Sequence, residues 1–264
     1  AAARKPEDNA YLMGSLLSAL RTGIARLRYA EPAPVPTVPI TSAALIVGAG
    51  ISGMHAALAI ADHGYDVHII EKNQETGGNL KWLGKTLEGH AMEPLLSEVL
   101  LKIEKHPKIS LHTKTTVVGS FGNVGRFSTL VANGENSIET IEHGVTIIAT
   151  GGNEAKTVDY GYGTDSAIVT QRELERKLAD KTIDPGKLDS VVMIQCVGSR
   201  EEPRNYCSRI CCSATLKQAL YLKEKNRDIN IYVLYRDIMA YGTAESFFTL
   251  ARKAGVLFIQ YDPK

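Results

Sequence analysis

All four cysteines of this 264-residue chain lie in one stretch, as Cys196, Cys207, Cys211 and Cys212. A secreted disulfide framework spreads its cysteines to staple distant segments, so this clustering points to a metal or redox site in a reducing compartment. The pattern is C-x10-C-x3-C-C. Cys207 and Cys211 are four apart and share a face if the segment is helical. Cys212 projects about a third of a turn away, and Cys196 reaches in from the end of a strand. Four thiolates converging in this way suit a [4Fe-4S] cluster, whose negative charge Arg200, Arg204, Arg209 and a helix N-terminus would offset. Structural zinc favours paired C-x2-C knuckles, a redox disulfide favours C-x-x-C, and inert buried thiols need no clustering; these remain the alternatives.

A second constellation is Gly48-Ala-Gly50-Ile51-Ser52-Gly53, between an apolar strand and an apolar helix. Gly48 makes a tight turn, Gly50 admits a pyrophosphate to the backbone, and Gly53 lets helix and strand pack closely. The amides at the helix start, at Ile51 and Ser52, face the phosphates. The next strand ends in Glu71, 18 residues beyond Gly53, followed by Lys72. The Glu71 carboxylate is placed to accept from the hydroxyls of an unphosphorylated ribose.

Around these residues the pattern predicts strand Ala44–Val47, helix Ile51–Asp62 and strand Asp66–Glu71. It continues with helix Glu93–Lys105, strand Ser110–Ser120, a hairpin of Arg126–Val131 and Ser137–Ile141 around Asn133-Gly134, and strand Val145–Ala149. A second α/β unit begins near Lys187. It reads as strand Ser190–Gln195, helix Ser208–Lys225, strand Asn230–Tyr235, helix Ala244–Lys253 and strand Val256–Tyr261. The expected class is therefore α/β with Rossmann-like parallel sheets. Residues 9–28 form an amphipathic helix with Met13, Leu16, Leu17, Leu20, Ile24 and Leu27 on one stripe, read as a docking helix over a membrane-surface one because its polar face is not uniformly basic. Pro32, Pro34, Pro36 and Pro39 follow as an extended spacer. The expected segments are 1–40, 41–160 and 161–264.

Composition excludes several classes. With 30 basic and 29 acidic residues the net charge is +1, which gives no electrostatic footprint for nucleic acid. The longest uncharged N-terminal run, Asn9–Leu20, is too short to span a membrane, and no signal peptide is evident. The expectation is a cytoplasmic chain. The seven histidines show no metal-ligand spacing.

Two further features resemble the two-dinucleotide-binding-domain flavoproteins. These are Gly77-Gly78, with Asn79, after the second strand, and Thr146-Ile-Ile-Ala-Thr150-Gly151 closing the unit. The resemblance implies FAD, with Gly77 and Gly78 near the pyrophosphate, Thr150 and Gly151 beside the flavin, and Val117 as a main-chain contact of the adenine. In the second unit a nucleotide-binding glycine loop is replaced by Cys196-Val-Gly-Ser-Arg200, so NAD(P)H binding there is not expected.

The run Gln195–Arg200, then Tyr206-Cys-Ser-Arg-Ile-Cys-Cys212 and Leu216-Lys217, resembles the heterodisulfide reductase A (HdrA-like) family, as do Ala25-Arg-Leu-Arg and Glu31-Pro. The resemblance implies an FAD and iron–sulfur electron-transfer protein, with all four cysteines ligating a cluster and Lys217 pointing at the flavin ring. It also implies iron–sulfur partner subunits, a possible homodimer in a larger complex, and in some members electron bifurcation. An ammonium at that place would stabilise reduced anionic flavin. No cysteines stand where many relatives carry an inserted ferredoxin-like module. The chain stops at Lys264 before the Gly-Asp motif that completes an FAD site, so it reads as a fragment. The competing functions are a pyridine-nucleotide-dependent flavin disulfide reductase and a scaffold piece without cofactors.

Overall fold

The computed structural model describes residues 6–31, 37–134 and 137–262. Pro32, Pro34 and Pro36 of the proline-rich spacer lie outside the described residues. The chain divides into two compact units, Ala1–Pro39 and Ile40–Lys264. In the first, helix α1 runs Pro6–Tyr29 with Arg26 and Arg28 in its last turn, where they complement the helix dipole. The stripe Met13, Leu16, Leu17, Leu20, Ile24, Leu27 is exposed. No helix among the described residues is long and apolar enough to cross a membrane.

Among its described residues the second unit contains three sheets. Strand β1 is Ala43–Val47, and its three central residues are buried on both faces, as in a central parallel strand. Helix α2 follows at Ile51–Asp62 and buries Gly53, Met54, Ala57 and Ala61. Strand β2 is Asp66–Ile70, helix α3 is Met92–Lys105, and strand β3 is Ile109–His112. With β7, Val145–Ile148, these strands form a parallel sheet in the order β3-β2-β1-β7. Ala44, Ile46, Val67 and Ile69 pack on α2 and α3. The opposite face, Leu45 and Ile70, packs on Val131 and Ile141. Those two residues belong to a three-stranded antiparallel sheet of β4 (Thr115–Asn123), β5 (Arg126–Asn133) and β6 (Ile138–His143).

The expected single strand over Ser110–Ser120 is two strands. Lys114 takes a left-handed φ of 52°, and the chain turns out of the parallel sheet into the antiparallel one. Lys114 N donates to Asn73 O and Thr115 N to Glu71 O, so the corner is hydrogen-bonded to the end of β2. The hairpin expected around Asn133-Gly134 is the β5–β6 pair.

Helix α4, Gln171–Ala179, is opened by a capping box. The Thr170 side chain accepts from Glu173 N, and the Glu173 carboxylate accepts from Thr170 N. The last sheet is parallel, order β10-β9-β8, from β8 (Ser190–Ile194), β9 (Asn230–Tyr235) and β10 (Leu257–Gln260). Helices α5, Cys211–Lys225, and α6, Ala244–Lys253, complete it. Its core joins Met193, Ile231 and Val233 to Leu216, Ala219, Leu222 and Ala251, with Leu174 of α4.

Candidate functional site: a glycine-lined turn and a cysteine-lined loop

At the end of β1 three glycine-bearing turns converge. Gly48 has φ 112°, and a Cβ there would stand 2.3 Å from Ala149 O. A Cβ on Gly53 would stand 1.9 Å from Gly48 O, so helix and strand touch at backbone distance. Around a Cβ on Gly50, by contrast, no protein atom lies within 4 Å. This is the cradle that a pyrophosphate needs. The α2 N-terminus has no side-chain cap, which leaves first-turn amides at Ile51 and Ser52 for an anion. Gly77 N donates to Ala49 O at 2.8 Å, and Gly78 lies against Gly50. Asn79 Nδ2 reaches Gly152 O at 3.4 Å, and Ala149 N donates to Val47 O. The sequence-selected Gly48, Gly50, Ile51, Ser52, Gly53, Gly77, Gly78, Asn79, Thr150 and Gly151 are thus gathered at one sheet end. On an open backbone turn of this kind, the residues fit a dinucleotide such as FAD.

Two members of the set have protein neighbours of their own. Glu71 is buried, and its carboxylate is already engaged with protein: Oε2 accepts from Ala49 N at 3.0 Å, and Oε1 from Asn73 N and Nδ2 at 2.9 and 2.8 Å. It braces the glycine turn, and Oε2 keeps a second lone pair. Val117 sits on the antiparallel sheet, next to a register shift between Val117 and Gly119, two residues from the Thr115–Glu71 bond. Lys72 is exposed beside Glu71.

The cysteine site occupies the matching end of β8. Gln195 N donates to Leu234 O, and Cys196 then takes φ 61°. Arg200 and Arg209 are also left-handed, at 65° and 59°. Non-glycine residues held there cost of order 1–3 kcal/mol each and persist where surrounding structure enforces them. The helix begins at Cys211, not Ser208, because Arg209 breaks the helical run; Cys207 therefore lies in the loop and shares no helix face with Cys211. All four thiols are free. Backbone amides turn toward sulfur: Arg209 N to Cys207 Sγ at 3.3 Å and Met239 N to Cys212 Sγ at 3.4 Å. Ser208 Oγ donates to Cys211 Sγ at 3.7 Å, and Arg200 Nη1 to Cys196 Sγ at 4.0 Å.

The thiols act on one another. The hydrogen bond from Cys212, against the opposing effect of burial, holds the Cys211 thiol down at about 6, while Cys212 is pushed up by the same bond and then by burial. Cys212 has a single proton and a second acceptor, Asp237 O at 3.8 Å. Burial raises Cys196, and Arg200 partly reverses that; Cys207 and Cys211 are close enough to add to the rise. Among the described residues no three His, Cys, Asp or Glu side chains converge closely enough to hold one metal ion. Four free thiols approached by amide and guanidinium donors have the chemistry that a thiolate-ligated group requires.

Lys217 is on α5 one turn and a half beyond the cysteines, but its ammonium is not free. It pairs with Glu175 Oε1 at 2.7 Å and donates to Lys85 O at 3.0 Å, with both side chains largely buried at 13% and 11% exposure. Gln218 Nε2 donates to Glu175 Oε2 and to Gln171 O. Gln171 reaches Cys211 O at 3.1 Å and shares Thr215 Oγ1 with Gln195. A chain of polar side chains thus runs from the segment after Gly78 to the first residue before Cys196. Sequence reasoning missed Gln171 and Glu175 because it left residues 152–186 unread. The Thr170-x-x-Glu173 capping signature was the available signal.

The NAD(P)-binding Rossmann-like domain profile matches residues 46–82. The A subunit of ferredoxin:CoB-CoM heterodisulfide reductase from Methanosarcina acetivorans is 26% identical, covering 94% of this chain and 46% of the relative. An iron–sulfur A subunit of the CoB–CoM heterodisulfide reductase from Methanopyrus kandleri is also 26% identical, over 92% of this chain and 51% of the relative. The first alignment runs to 372 residues, more than this chain has, so the relative carries internal segments that this chain lacks. Among solved structures, the bacillithiol disulfide reductase of Bacillus cereus shares the fold at a TM-score of 0.51, with 15% identity, over 83% of this chain and 67% of that one. The chain is thus similar over nine-tenths of its length to the A subunits of heterodisulfide reductases, and it spans about half the length of these curated relatives.

Proposed function

We propose that this chain is the FAD- and [4Fe-4S]-carrying electron-transfer module of an oxidoreductase of heterodisulfide reductase A type. The observation that carries the reading is the pairing, within one unit, of two parallel-sheet ends of different chemistry. One is lined by glycine backbone and the other by four free thiols. Bound there, FAD would exchange electron pairs and the cluster single electrons. Gly48, Gly50, Gly53, Gly77 and Gly78 would bind the dinucleotide, with Ile51 and Ser52 presenting amides to its phosphates. Glu71 and Lys72 would meet the ribose, Val117 the adenine, and Asn79, Thr150 and Gly151 the flavin end. Cys196, Cys207, Cys211 and Cys212 would hold the cluster. Lys217, held by Glu175, would point at the flavin ring. Segments 1–40, 41–160 and 161–264 would serve as docking helix with linker, flavin domain and cluster domain. The relatives are named as A subunits of heterodisulfide reductases, one of them ferredoxin-linked, and on that ground the module would pass electrons to iron–sulfur partner subunits.

The second reading, an NAD(P)H-dependent flavin disulfide reductase, has the shared fold in its favour. Against it, the loop after β8 spans Gln195–Ile210 and buries no glycine turn that would admit a pyrophosphate. The deciding experiment is anaerobic purification with absorbance spectroscopy and quantification of iron, zinc, sulfide and flavin. About four irons and one FAD per chain support the proposal. Zinc without iron, or iron retained in Cys196→Ala and Cys211→Ala, overturns the cluster assignment.

A further inference from the structure

Among the described residues, Arg200 is the cation with a hydrogen bond to a cysteine sulfur, and its position is built rather than incidental. The turn after β8 is closed by Ser199 N to Cys196 O at 3.1 Å, and Arg200 N is tied to Arg204 O at 2.8 Å. With Arg200 itself left-handed, its side chain is returned over Cys196, where Nη1 lies 4.0 Å from Sγ. The other guanidinium nitrogen, Nη2, is gripped by Asp237 Oδ2 at 2.6 Å. Asp237 belongs to the segment after β9, and that segment also faces Cys212 through Asp237 O and Met239 N. Arg236 Nη1 secures the turn from the same side, at 3.4 Å from both Ser199 O and Arg200 O. One stretch, 236–239, therefore grips the neighbourhoods of two cysteines. It reaches Cys196 at the strand end through Arg200, and Cys212 at the helix start directly.

The other two arginines of the loop are placed differently. Arg204 lies against Gly198, with its Nη2 3.2 Å from where a Cβ would stand, and Arg209 is exposed. Neither side chain donates to a sulfur. A thiolate-ligated group gains negative charge on reduction, and a guanidinium held against one of its sulfurs stabilises the reduced form more than the oxidised one.

We propose that Arg200, locked by Asp237, is the positioning residue that raises the reduction potential of the group held by the four cysteines. This rests on the cluster assignment above. The test compares wild type, Arg200→Gln and Arg200→Lys after anaerobic reconstitution with ferrous iron and sulfide. Iron content is measured, and a dye-mediated redox titration is followed by electron paramagnetic resonance. Arg200→Gln is expected to lower the midpoint so that, at the wild-type midpoint, the reduced-to-oxidised ratio falls about tenfold, which is 59 mV for one electron. Arg200→Lys keeps the charge and is expected to stay within about threefold of wild type on the same scale. A Gln variant at the wild-type midpoint overturns the proposal, as does a Lys variant shifted as far as Gln. Should Arg200→Gln fail to retain iron, retention at the wild-type midpoint in Arg200→Lys supports it, and loss in both overturns it. A wild-type chain that takes up no iron refutes the cluster assignment itself.

Discussion

Gly48 N bonds Ile70 O at the end of β1, and Gln195 N bonds Leu234 O at the end of β8, so the two sheets present the same backbone at the same place. From there they part. After β1 three residues suffice to reach α2, and after β8 sixteen residues intervene before α5. In the first, the residue that follows the neighbouring strand is Glu71, whose carboxylate accepts from Ala49 N and stiffens a turn made of backbone. In the second, the chain following the neighbouring strand supplies Arg236 and Asp237, which hold the loop carrying the sulfurs. On the proposed assignment, the dinucleotide end is made by removing side chains so that amides are reachable, and the cluster end by adding ligands and enough chain to aim them. The carboxyl ends of parallel strands would then serve both.

The largest effects, outright loss of a bound group, separate these two designs. Gly53→Ala drives a Cβ to 1.9 Å from a backbone oxygen and is expected to cost about 1–3 kcal/mol of stability along with flavin. Gly50→Ala meets nothing in the protein, at an ordinary φ of −81°. Its stability is expected to stay within about 1 kcal/mol of wild type, while flavin binding is lost. Thermal melts beside flavin titration check the pair, and a Gly50→Ala chain that still binds FAD breaks the idea that open backbone defines this end. At the other end, serine at any of the four cysteine positions is expected to abolish bound iron and leave flavin content unchanged. Flavin lost together with iron would mean that the two ends are not separate designs.

The legibility of the two ends in the sequence follows the same division. The glycine triad is a local code, read from spacing within six residues, and the glycine pairs farther on come from the flavoprotein resemblance, although Gly48 and Gly78 meet Ala149 and Gly50 across the fold. The cysteines could also be named, but their geometry could not. Arg209 at φ 59° ends any helical reading of Cys207, and nothing in the residue type announces it. The partners of the loop, Asp237 and Met239, come from a strand end 25 and 27 residues beyond Cys212. The split of the strand at Lys114 was hidden for a similar reason, because both halves carry the same β-forming residues. Glu175 was missed with its helix, and with it the knowledge that Lys217 is paired.

That ion pair is the next test, because it joins the two regions through Lys85 O and Gly84 N. Glu175→Gln leaves a largely buried ammonium without its counter-charge and is expected to cost about 3–5 kcal/mol. Replacing both partners, as Glu175→Leu with Lys217→Met, is expected to recover most of that loss. Chemical denaturation measures both. If Glu175→Gln reduces flavin and iron retention together, the polar chain through Gln171 and Thr215 couples the ends; loss of one alone shows that they fail independently.

The smallest predicted effect uses an asymmetry in titrating groups. All seven histidines precede residue 144, so the sheet of β8, β9 and β10 contains none. His143 is fully buried, stacked on Phe127, with its ring nitrogens 2.8 Å from Thr129 Oγ1 and 3.1 Å from Val145 O. Burial, only partly offset by the Val145 bond, lowers its pKa below the ordinary 6.5. His68, beside His112, is lowered too, first by burial and then by that neighbour. With the folded value depressed, the unfolded chain takes up the protons first. The stabilisation is therefore complete above about pH 6.5 and is lost as pH falls through that value toward the folded pKa values. The loss is borne by the half that holds the glycine turn. Trp82, the single tryptophan, reports from that half through its bond to Asn79. On acidification from pH 8 to 5.5, its fluorescence is expected to change before the bulk of the helical circular dichroism does, and His143→Asn is expected to flatten that early change. Coincident transitions in the wild-type chain, unaltered by His143→Asn, would mean that the two ends share one cooperative core, and that they differ in ligand chemistry without differing in stability.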